Sequence, residues 1–192
     1  TNIMARVLID CHCHLLANDY PGFVFPCFGI HPLQGSGQDL DDIVAVGVTG
    51  LDFTPWFANT TQEHLNLPLN VHSRSAAKVA IATMKELGIR QALLHNFASK
   101  PSVAMEGVQA GFFFSFLPAI SKNEQSKINQ IPLEHICLET DSPALGTDKH
   151  VRSEPGNIMI CCEHIAKVKG ISPEVMEVTT QNALRLFSKL KT

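Results

Sequence analysis

The sequence predicts an α/β fold built around a parallel sheet. In the second half of the chain, short apolar runs alternate with longer amphipathic segments, and this alternation is typical of repeated βαβ units. The apolar runs are nearly continuous, as expected for strands that helices cover. The composition, 45% hydrophobic and 17% charged, is that of a folded globular protein. We therefore expect a single domain over residues 1–192.

Each element of the second half carries its own local signals. The predicted strands span residues 67–72, 91–95, 111–116 and 135–139, and the predicted helices span residues 75–87, 101–108, 121–129 and 157–169, with a last helix after Ser172-Pro173. Gly88 ends the first helix and Pro101 lies in the first turn of the second, which are favoured positions for these residues. The periodicity predicts that Val79, Met84 and Leu87 form the buried face of the first helix.

The first half of the chain is compressed. Strands are predicted at residues 7–10, 24–29 and 43–47. About a dozen residues separate the first two strands, whereas a parallel crossover normally needs a dozen or more with a helix of its own. Residues 14–22 and 53–65 show no clear helical pattern. Either this half departs from standard βαβ units, or its covering segments are absent from the chain.

Charge and cysteine placement exclude several classes of protein. A formal net charge of −3 excludes a generally basic nucleic-acid coat, though not a local basic patch. No apolar run approaches the roughly 20 residues that span a bilayer, and residues 1–10 lack the zones of a signal peptide. The six cysteines are not placed as a disulfide framework. We expect a cytoplasmic or nuclear protein with free thiols and no membrane contact.

A histidine pair follows the first predicted strand, in the stretch Asp10-Cys11-His12-Cys13-His14. Alternate side chains of an extended backbone share a face, so His12 and His14 are expected to point the same way and the cysteines the opposite way. Two imidazoles on one face form half of a metal site. A Cys/His zinc finger is the competing interpretation, but the alternation separates its two kinds of ligand. Taken alone, the pair fits a structural role as well as a metal site.

Three other predicted strands end at potential metal ligands. His72 and His95 end their strands, and Asp141 follows the strand at residues 135–139. Because the carboxyl ends of parallel strands meet on one side of a sheet or barrel, these side chains are expected to converge with His12 and His14. Four imidazoles and one carboxylate suit zinc, or a mixed pair of divalent ions.

Six short motifs occur in order between Asp10 and Phe187. They are Asp10-Cys11-His12-Cys13-His14-Leu15, Gly29-Ile30-His31-Pro32, Gly50-Leu51-Asp52, Asn70-Val71-His72-Ser73-Arg74, Leu138-Glu139-Thr140-Asp141-Ser142-Pro143 and Thr180-Gln181-Asn182-Ala183-Leu184-Arg185-Leu186-Phe187. In this order they resemble the TatD family of metal-dependent deoxyribonucleases. The resemblance implies a TIM (β/α)8-type barrel of the metal-dependent hydrolase kind, with a dinuclear site that hydrolyses phosphodiester bonds of DNA.

The resemblance also implies the metal ligands. One ion would be held by His12, His14 and Asp141, and a second by His72 and His95. The expected cofactors are two divalent ions, with zinc favoured and magnesium or manganese as alternatives. Two such ions neutralise charge on phosphoryl oxygens and promote ionisation of water, which is what phosphodiester hydrolysis needs.

Catalytic and substrate-binding roles follow from the same resemblance. Asp141, His31 and Glu139 are the predicted catalytic residues, and Arg74 is predicted to bind a phosphate of the DNA. Asp10 would support the ligands or face the substrate. On the residues alone, a salt bridge at the barrel rim is an equal alternative for Arg74, and a structural turn is an alternative for His31 before Pro32.

One position departs from the family's pattern. The family carries a glutamate that bridges the two metals in Gly-Glu-x-Gly-Leu-Asp, and here the stretch is Gly47-Val48-Thr49-Gly50-Leu51-Asp52. The isopropyl group of Val48 cannot bind a metal, and the loss of a carboxylate between two dications increases their repulsion. The second ion is expected to be weakened most. The chain is also shorter than the roughly 250 residues of a typical barrel.

The sequence is therefore compatible with three functions. The first is a metal-dependent deoxyribonuclease. The second is a catalytically impaired homologue that acts as a binding protein, which the substitution at Val48 favours. The third is a single-metal hydrolase of another ester or amide substrate, since related barrels support many reactions on one fold.

Overall fold

The computed structural model describes residues 8–14, 27–29, 45–48, 67–73, 75–118, 122–146, 150–171 and 174–190. Within these ranges the chain forms six strands and five α-helices. The strands are β1 (Cys27–Gly29), β2 (Ala45–Val48), β3 (Leu69–His72), β4 (Ala92–His95), β5 (Phe113–Phe116) and β6 (Ile136–Leu138). The helices are α1 (Ala77–Glu86), α2 (Pro101–Gln109), α3 (Lys122–Gln130), α4 (Ile158–Lys169) and α5 (Glu174–Leu186).

The strands form one parallel sheet in which each strand pairs with the next along the chain. Helices α1, α2 and α3 connect β3 to β6, so this part of the sheet is built from consecutive βαβ units. Gly170 ends α4 in the left-handed conformation, at φ 67°, which glycine adopts without steric cost. The strand order and the helical connections together are those of a (β/α) barrel.

The start of the chain lies beside the last strand of the sheet. Asp10 forms a parallel bridge with Leu138 of β6, and the Cys11 N–H donates to the Leu138 carbonyl oxygen at 2.9 Å. A sheet whose first segment returns to its last strand is curved towards closure, as in a TIM-type barrel. The predicted α/β fold of this type is confirmed.

The predicted elements of the second half are confirmed, with ends that differ by only a few residues. In the first half, the strands predicted at residues 24–29 and 43–47 are found as β1 and β2. The strand predicted at residues 7–10 contributes only the bridge at Asp10 among the described residues. The segments at residues 14–22 and 53–65 lie almost wholly outside the described ranges.

The core has two parts, separated by the alternation of side chains along the strands. One cluster lies between the sheet and the helices and includes Leu94, Phe114 and Ile165. The other contains Leu93, Phe113 and Cys137 from the opposite strand face, packed with residues of α5. Alternate residues of β4 and β5 therefore enter different clusters, as the twofold period of a strand requires.

The predicted buried face of α1 is partly wrong. Met84 is buried, but Val79 is 51% exposed and Leu87 is 42% exposed. The helix instead packs through the row Ala77, Ala80, Ile81 and Met84. Small alanine side chains let the helix lie close to its neighbours, so the larger valine and leucine are left on the outside. Across the described ranges, no helix combines the length and apolar character needed to span a membrane.

Candidate metal centre

The carboxyl ends of the strands bring the predicted ligands together. His72 and His95 are the last residues of β3 and β4 and lie opposite each other in register. Asp141 follows β6, and the His12 carbonyl oxygen accepts a hydrogen bond from the Asp141 N–H at 3.0 Å. These four residues therefore meet at one end of the sheet, as the sequence analysis predicts.

Three of the predicted ligands form a compact group. Asp141 Oδ1 lies 3.4 Å from His12 Nε2 and 3.1 Å from His14 Nε2. One ligand atom of each residue falls within 4.8 Å of the others. The His14 side chain is 58% exposed, while that of Asp141 is 9% exposed. The group therefore combines a buried carboxylate with an opening to solvent, which a catalytic metal site requires for water or substrate. We call these three residues the three-donor group.

The other two histidines form a pair beside this group. His72 Nδ1 lies 3.1 Å from His95 Nε2, so two imidazole nitrogens face one small volume. The His95 ring stacks on the His12 ring, with centroids 3.7 Å apart and an interplanar angle of 9°. We call His72 and His95 the histidine pair. The stacking makes the three-donor group and the histidine pair parts of one continuous site.

Four buried polar atoms of the site make no hydrogen bond with the described residues and face one another in pairs, His12 with Asp141 and His95 with Glu139. Within the described part of the chain, no hydrogen-bond partner is found for His12 Nε2, His95 Nδ1, Glu139 Oε2 or Asp141 Oδ1. A buried polar atom without a partner is costly, and in native proteins such atoms are usually satisfied. Imidazole nitrogens and carboxylate oxygens are the donors that zinc and similar divalent ions take. The residues present therefore fit a metal centre.

Glu139 lies behind His95 and is fully buried. Its Oε1 accepts a hydrogen bond from the Asn96 N–H at 2.6 Å, and its Oε2 lies 3.7 Å from His95 Nδ1. Asn96 has a positive φ of 46°. Glu139 thus contacts both the ring of His95 and the backbone that follows it, which orients the opposite ring nitrogen towards His72.

Asp10 links the segment that contains His12 to the segment that contains Asp141 through hydrogen bonds. Asp10 Oδ1 accepts hydrogen bonds from the His12 N–H at 3.3 Å and the Thr140 N–H at 3.0 Å. Asp10 Oδ2 accepts from the Thr140 hydroxyl at 2.5 Å. The His14 N–H donates to the Ser142 carbonyl oxygen at 2.6 Å. One half-buried carboxylate therefore holds residues next to both His12 and Asp141.

The electrostatics of the site follow from burial and from these contacts. Burial raises the pKa of Asp10 to about 6, although its hydrogen bonds with Thr140 and His12 act in the opposite direction. Burial also opposes protonation of His12, but Asp141 and Glu139 outweigh it and raise the pKa of His12. For Asp141, burial is outweighed by the neighbouring histidines, which lower its pKa. The metal-free site therefore favours a charged pair between His12 and Asp141.

Asp141 itself has an unusual backbone. Its φ is 54°, in the left-handed region that few non-glycine residues occupy. Hydrogen bonds on both sides hold it there, because its N–H donates to His12 and its carbonyl oxygen accepts from Ala144. Such conformations cluster at functional sites. Aspartate is one of the few non-glycine residues that adopt this region readily, but the motif alone does not specify it.

Two of the predicted site residues, His31 and Arg74, lie outside the described residues. Val48 is the last residue of β2, and its backbone lies opposite Val71, one position before His72. The departure from the glutamate pattern thus falls on the strand next to the histidine pair.

Asn70 is a supporting residue that the strand-end pattern does not single out. Its Nδ2 donates to the Cys11 carbonyl oxygen at 3.1 Å, which joins β3 to the histidine-bearing segment. The signal was a polar residue inside an otherwise apolar run, Leu67-Pro68-Leu69-Asn70-Val71. Such a residue in a buried strand needs a hydrogen-bond partner.

A parallel (β/α) barrel with histidines and an aspartate at its carboxyl end is typical of metal-dependent hydrolases. The family model described as TatD related DNase matches residues 11–188. The chain therefore belongs to the TatD family.

Curated relatives agree with this family. A zebrafish (Danio rerio) protein named "Putative deoxyribonuclease tatdn3" is 58% identical over 265 positions, which cover 98% of this chain and 100% of the relative. The human protein "Deoxyribonuclease TATDN3" is 43% identical, with 96% of each chain covered. An Escherichia coli protein named "Uncharacterized metal-dependent hydrolase YcfH" is 30% identical, covering 92% of this chain and 78% of the relative. This chain has 192 residues. The alignment of 265 positions therefore includes positions at which this chain has no residue.

Solved structures support the fold. The TatD homologue YJJV of Escherichia coli superposes with a TM-score of 0.73 at 18% identity, over 91% of this chain and 80% of that chain. A TatD-family hydrolase of Entamoeba histolytica gives a TM-score of 0.67 at 21% identity, over 77% of this chain and 64% of that chain. The chain thus spans less than two thirds of the Entamoeba protein.

Proposed function

We propose that this chain is a metal-dependent deoxyribonuclease that hydrolyses phosphodiester bonds of DNA. The observation that carries the proposal is the three-donor group, in which Asp141 Oδ1 lies within 3.4 Å of both His12 and His14 nitrogens. The family description and the relatives' names support the reaction class. Two imidazoles and a carboxylate suit zinc, which we propose as the first ion.

We propose the histidine pair as the place of a second ion. Its two nitrogens, 3.1 Å apart, can face the same cation. Divalent ions supply Lewis acidity towards the phosphoryl oxygens and promote the ionisation of water. The chain's part is to hold the ligands: Asp10 fixes the His12 segment, and Glu139 orients His95. We propose that Arg74 and His31 contact the substrate phosphate.

The proposal is tested by metal analysis and by a double substitution. The purified chain should retain zinc after removal of loosely bound ions. Combined substitution of His12→Ala and His14→Ala should remove zinc from the three-donor group and abolish metal-stimulated cleavage of DNA. His164→Gln is the control, because the His164 ring contacts the Pro118 carbonyl oxygen rather than one of the predicted ligands. Unchanged zinc content and activity in the double variant would rule the assignment out.

A second candidate is a hydrolase with one metal ion and another ester or amide substrate. It is favoured by a specific observation: among the described residues, the three-donor group is the only cluster of three potential ligands. With Val48 in place of the family's glutamate, the histidine pair has lost its expected carboxylate. Val48→Glu should raise the zinc stoichiometry from near one to near two per chain if the pair is otherwise intact. A stoichiometry near two in the unmodified chain would remove this candidate.

A third candidate is an impaired homologue that binds DNA without cleaving it, which the same substitution favours. Val48→Glu tests it directly, because a restored bridging carboxylate should restore cleavage in a lapsed enzyme. DNA binding without cleavage in the original chain, with cleavage gained in the variant, would favour this candidate.

We also propose a cytoplasmic or nuclear location. Cys11, Cys137, Cys161 and Cys162 are buried and outside disulfides, and free buried thiols persist in reducing compartments. Thiol titration of the protein, isolated from cells under alkylating conditions and then unfolded, should find its cysteines reduced.

A further inference from the structure

Exposed apolar side chains follow Asp141 along the chain. Among the described residues, six large apolar side chains are strongly exposed, and three of them lie in the connection from Asp141 to the first turn of α4. They are Leu145 at 50%, Val151 at 56% and Met159 at 43%. Single exposed apolar residues are ordinary, but several in one short connection mark a contact surface.

The connection is fixed to the metal centre. The Ala144 N–H donates to the Asp141 carbonyl oxygen at 2.9 Å, and the Ser153 N–H donates to the Pro143 carbonyl oxygen at 3.1 Å. The Ser153 hydroxyl donates to the Thr140 carbonyl oxygen at 3.0 Å. The residues that follow Asp141 and the residues that precede α4 are therefore both anchored within a few residues of the three-donor group. We call these two stretches the arms of the connection.

The two arms also meet each other. A Cβ placed on Gly146 would lie 2.0 Å from the Val151 carbonyl oxygen, so only glycine permits this approach. Leu145 and Val151 consequently stand next to the point where the arms touch. Leu145, Val151 and Arg152 are all exposed, and we call these three residues the rim.

Leu145 is held in an unfavourable conformation. Its φ is 51°, in the left-handed region, where a Cβ crowds the backbone. Half of its side chain is exposed, so burial does not compensate for this strain. Strain of this kind persists where the surroundings enforce it, and it clusters at ligand-contacting sites.

The charge on the rim complements a polynucleotide. Arg152 and His150 are both exposed and flank Val151. The chain as a whole is acidic, with a net charge of −3, and the metal centre to which this connection is anchored carries the carboxylates of Glu139 and Asp141. A cationic side chain at this point therefore does not reflect a generally basic surface. It is suited to an anionic ligand that reaches the metal centre.

We propose that the rim binds the nucleotide next to the scissile phosphate, with Arg152 on its phosphate and Leu145 and Val151 against its base or deoxyribose. This assignment rests on the proposed deoxyribonuclease function. The rim adds affinity for a chain of nucleotides and takes no part in bond breaking. It makes the enzyme favour polynucleotides over small phosphodiesters, because only a polynucleotide extends from the metal ions to the rim.

The experiment compares two rim variants with matched controls. Arg152→Gln is paired with Arg90→Gln, since Arg90 is an exposed arginine before β4, at the opposite end of the strands. Leu145→Gly is paired with Leu87→Gly, an exposed leucine at the end of α1. Zinc-loaded proteins are titrated with a fluorescent single-stranded phosphorothioate oligonucleotide, which resists cleavage, over a series of salt concentrations. Hydrolysis of bis-p-nitrophenyl phosphate is measured in parallel.

Arg152→Gln should weaken oligonucleotide binding about fivefold and reduce the slope of log affinity against log salt by about 0.7. Leu145→Gly should weaken binding about threefold with the slope unchanged. It should also leave the unfolding temperature unchanged or higher, because glycine relieves the strain at φ 51°. Both controls should bind like the original chain, and all four variants should hydrolyse the small diester normally.

The proposal is overturned if both rim variants bind the oligonucleotide as tightly as their controls, or if the original chain does not bind it. The small diester keeps these outcomes separate from the proposed function. Hydrolysis of bis-p-nitrophenyl phosphate with no rim effect would contradict only the rim. Absence of hydrolysis and of DNA cleavage in the original zinc-loaded chain would contradict the nuclease itself.

Discussion

The three-donor group and the histidine pair are assembled in different ways. The three-donor group joins the start of the chain to the segment after β6, through hydrogen bonds such as that from the Asp141 N–H to the His12 carbonyl oxygen. The histidine pair needs only two neighbouring strands in register, with His72 opposite His95. The three-donor group contains a carboxylate, that of Asp141. The histidine pair contains none, because Glu139 contacts the His95 ring from the side away from His72, and Val48 lies on the adjacent strand. The two halves of the centre should therefore bind metal with unequal strength.

The largest effect is expected from Asp141→Asn. The change keeps the shape of the side chain but removes the charge that both His12 and His14 face. Zinc at the three-donor group should be lost, and hydrolysis of bis-p-nitrophenyl phosphate should fall by at least about a hundredfold. Elemental analysis and initial rates measure this. Glu177→Gln, on an exposed position of α5, is the control and should match the original chain. Retention of full zinc content by Asp141→Asn would refute the three-donor assignment.

Glu139→Gln should separate the two halves of the centre. The amide still fills the buried space and can accept from the Asn96 N–H, but it lacks the charge 3.7 Å from His95 Nδ1. Metal affinity at the histidine pair should fall about tenfold to a hundredfold, with little change at the three-donor group. Calorimetric titration of the metal-free Val48→Glu protein, with and without Glu139→Gln, gives both affinities. An equal loss at both halves would show that Glu139 acts on the centre as a whole.

The smallest effect on metal binding is expected from Asp10→Asn, because Asp10 contacts backbone and a hydroxyl group rather than an imidazole ring. Its consequence is a change in stability with pH. The folded-state pKa of about 6 lies above the ordinary value of 3.8, so the folded protein holds this proton more tightly than the unfolded chain. Stability from this group is complete below about pH 4 and is lost as the pH rises through about 6.

The metal-free original chain should therefore lose up to about 3 kcal/mol of stability relative to the Asp10→Asn variant between these two pH values. Urea unfolding of both proteins over this range measures the difference. A stability difference that does not vary with pH would mean that the buried carboxyl group is ionised throughout, with no penalty for burial.

The sequence predicted the ends of three strands well, because the apolar runs of β3, β4 and β6 stop at or just before a potential ligand. His72 and His95 were placed this way, and their register follows from neighbouring parallel strands. The geometry after β6 was not predictable, because the left-handed conformation of Asp141 depends on hydrogen bonds to a segment 129 positions earlier in the chain. The position of Glu139 behind His95 has the same origin. On α1, periodicity favoured large side chains, whereas packing selected the alanine row.

The pairing of the segment around Asp10 with β6 also determines when the metal centre can form during protein synthesis. The hydrogen bonds between Asp10 and Thr140 join residues 130 positions apart. A ribosome must therefore release more than two thirds of this chain before His12 can meet Asp141. Contacts of such long range form late in folding, because closing the intervening loop costs entropy first. A chain that stops before β6 cannot assemble the three-donor group, so metal binding by these three residues requires that translation has passed this strand.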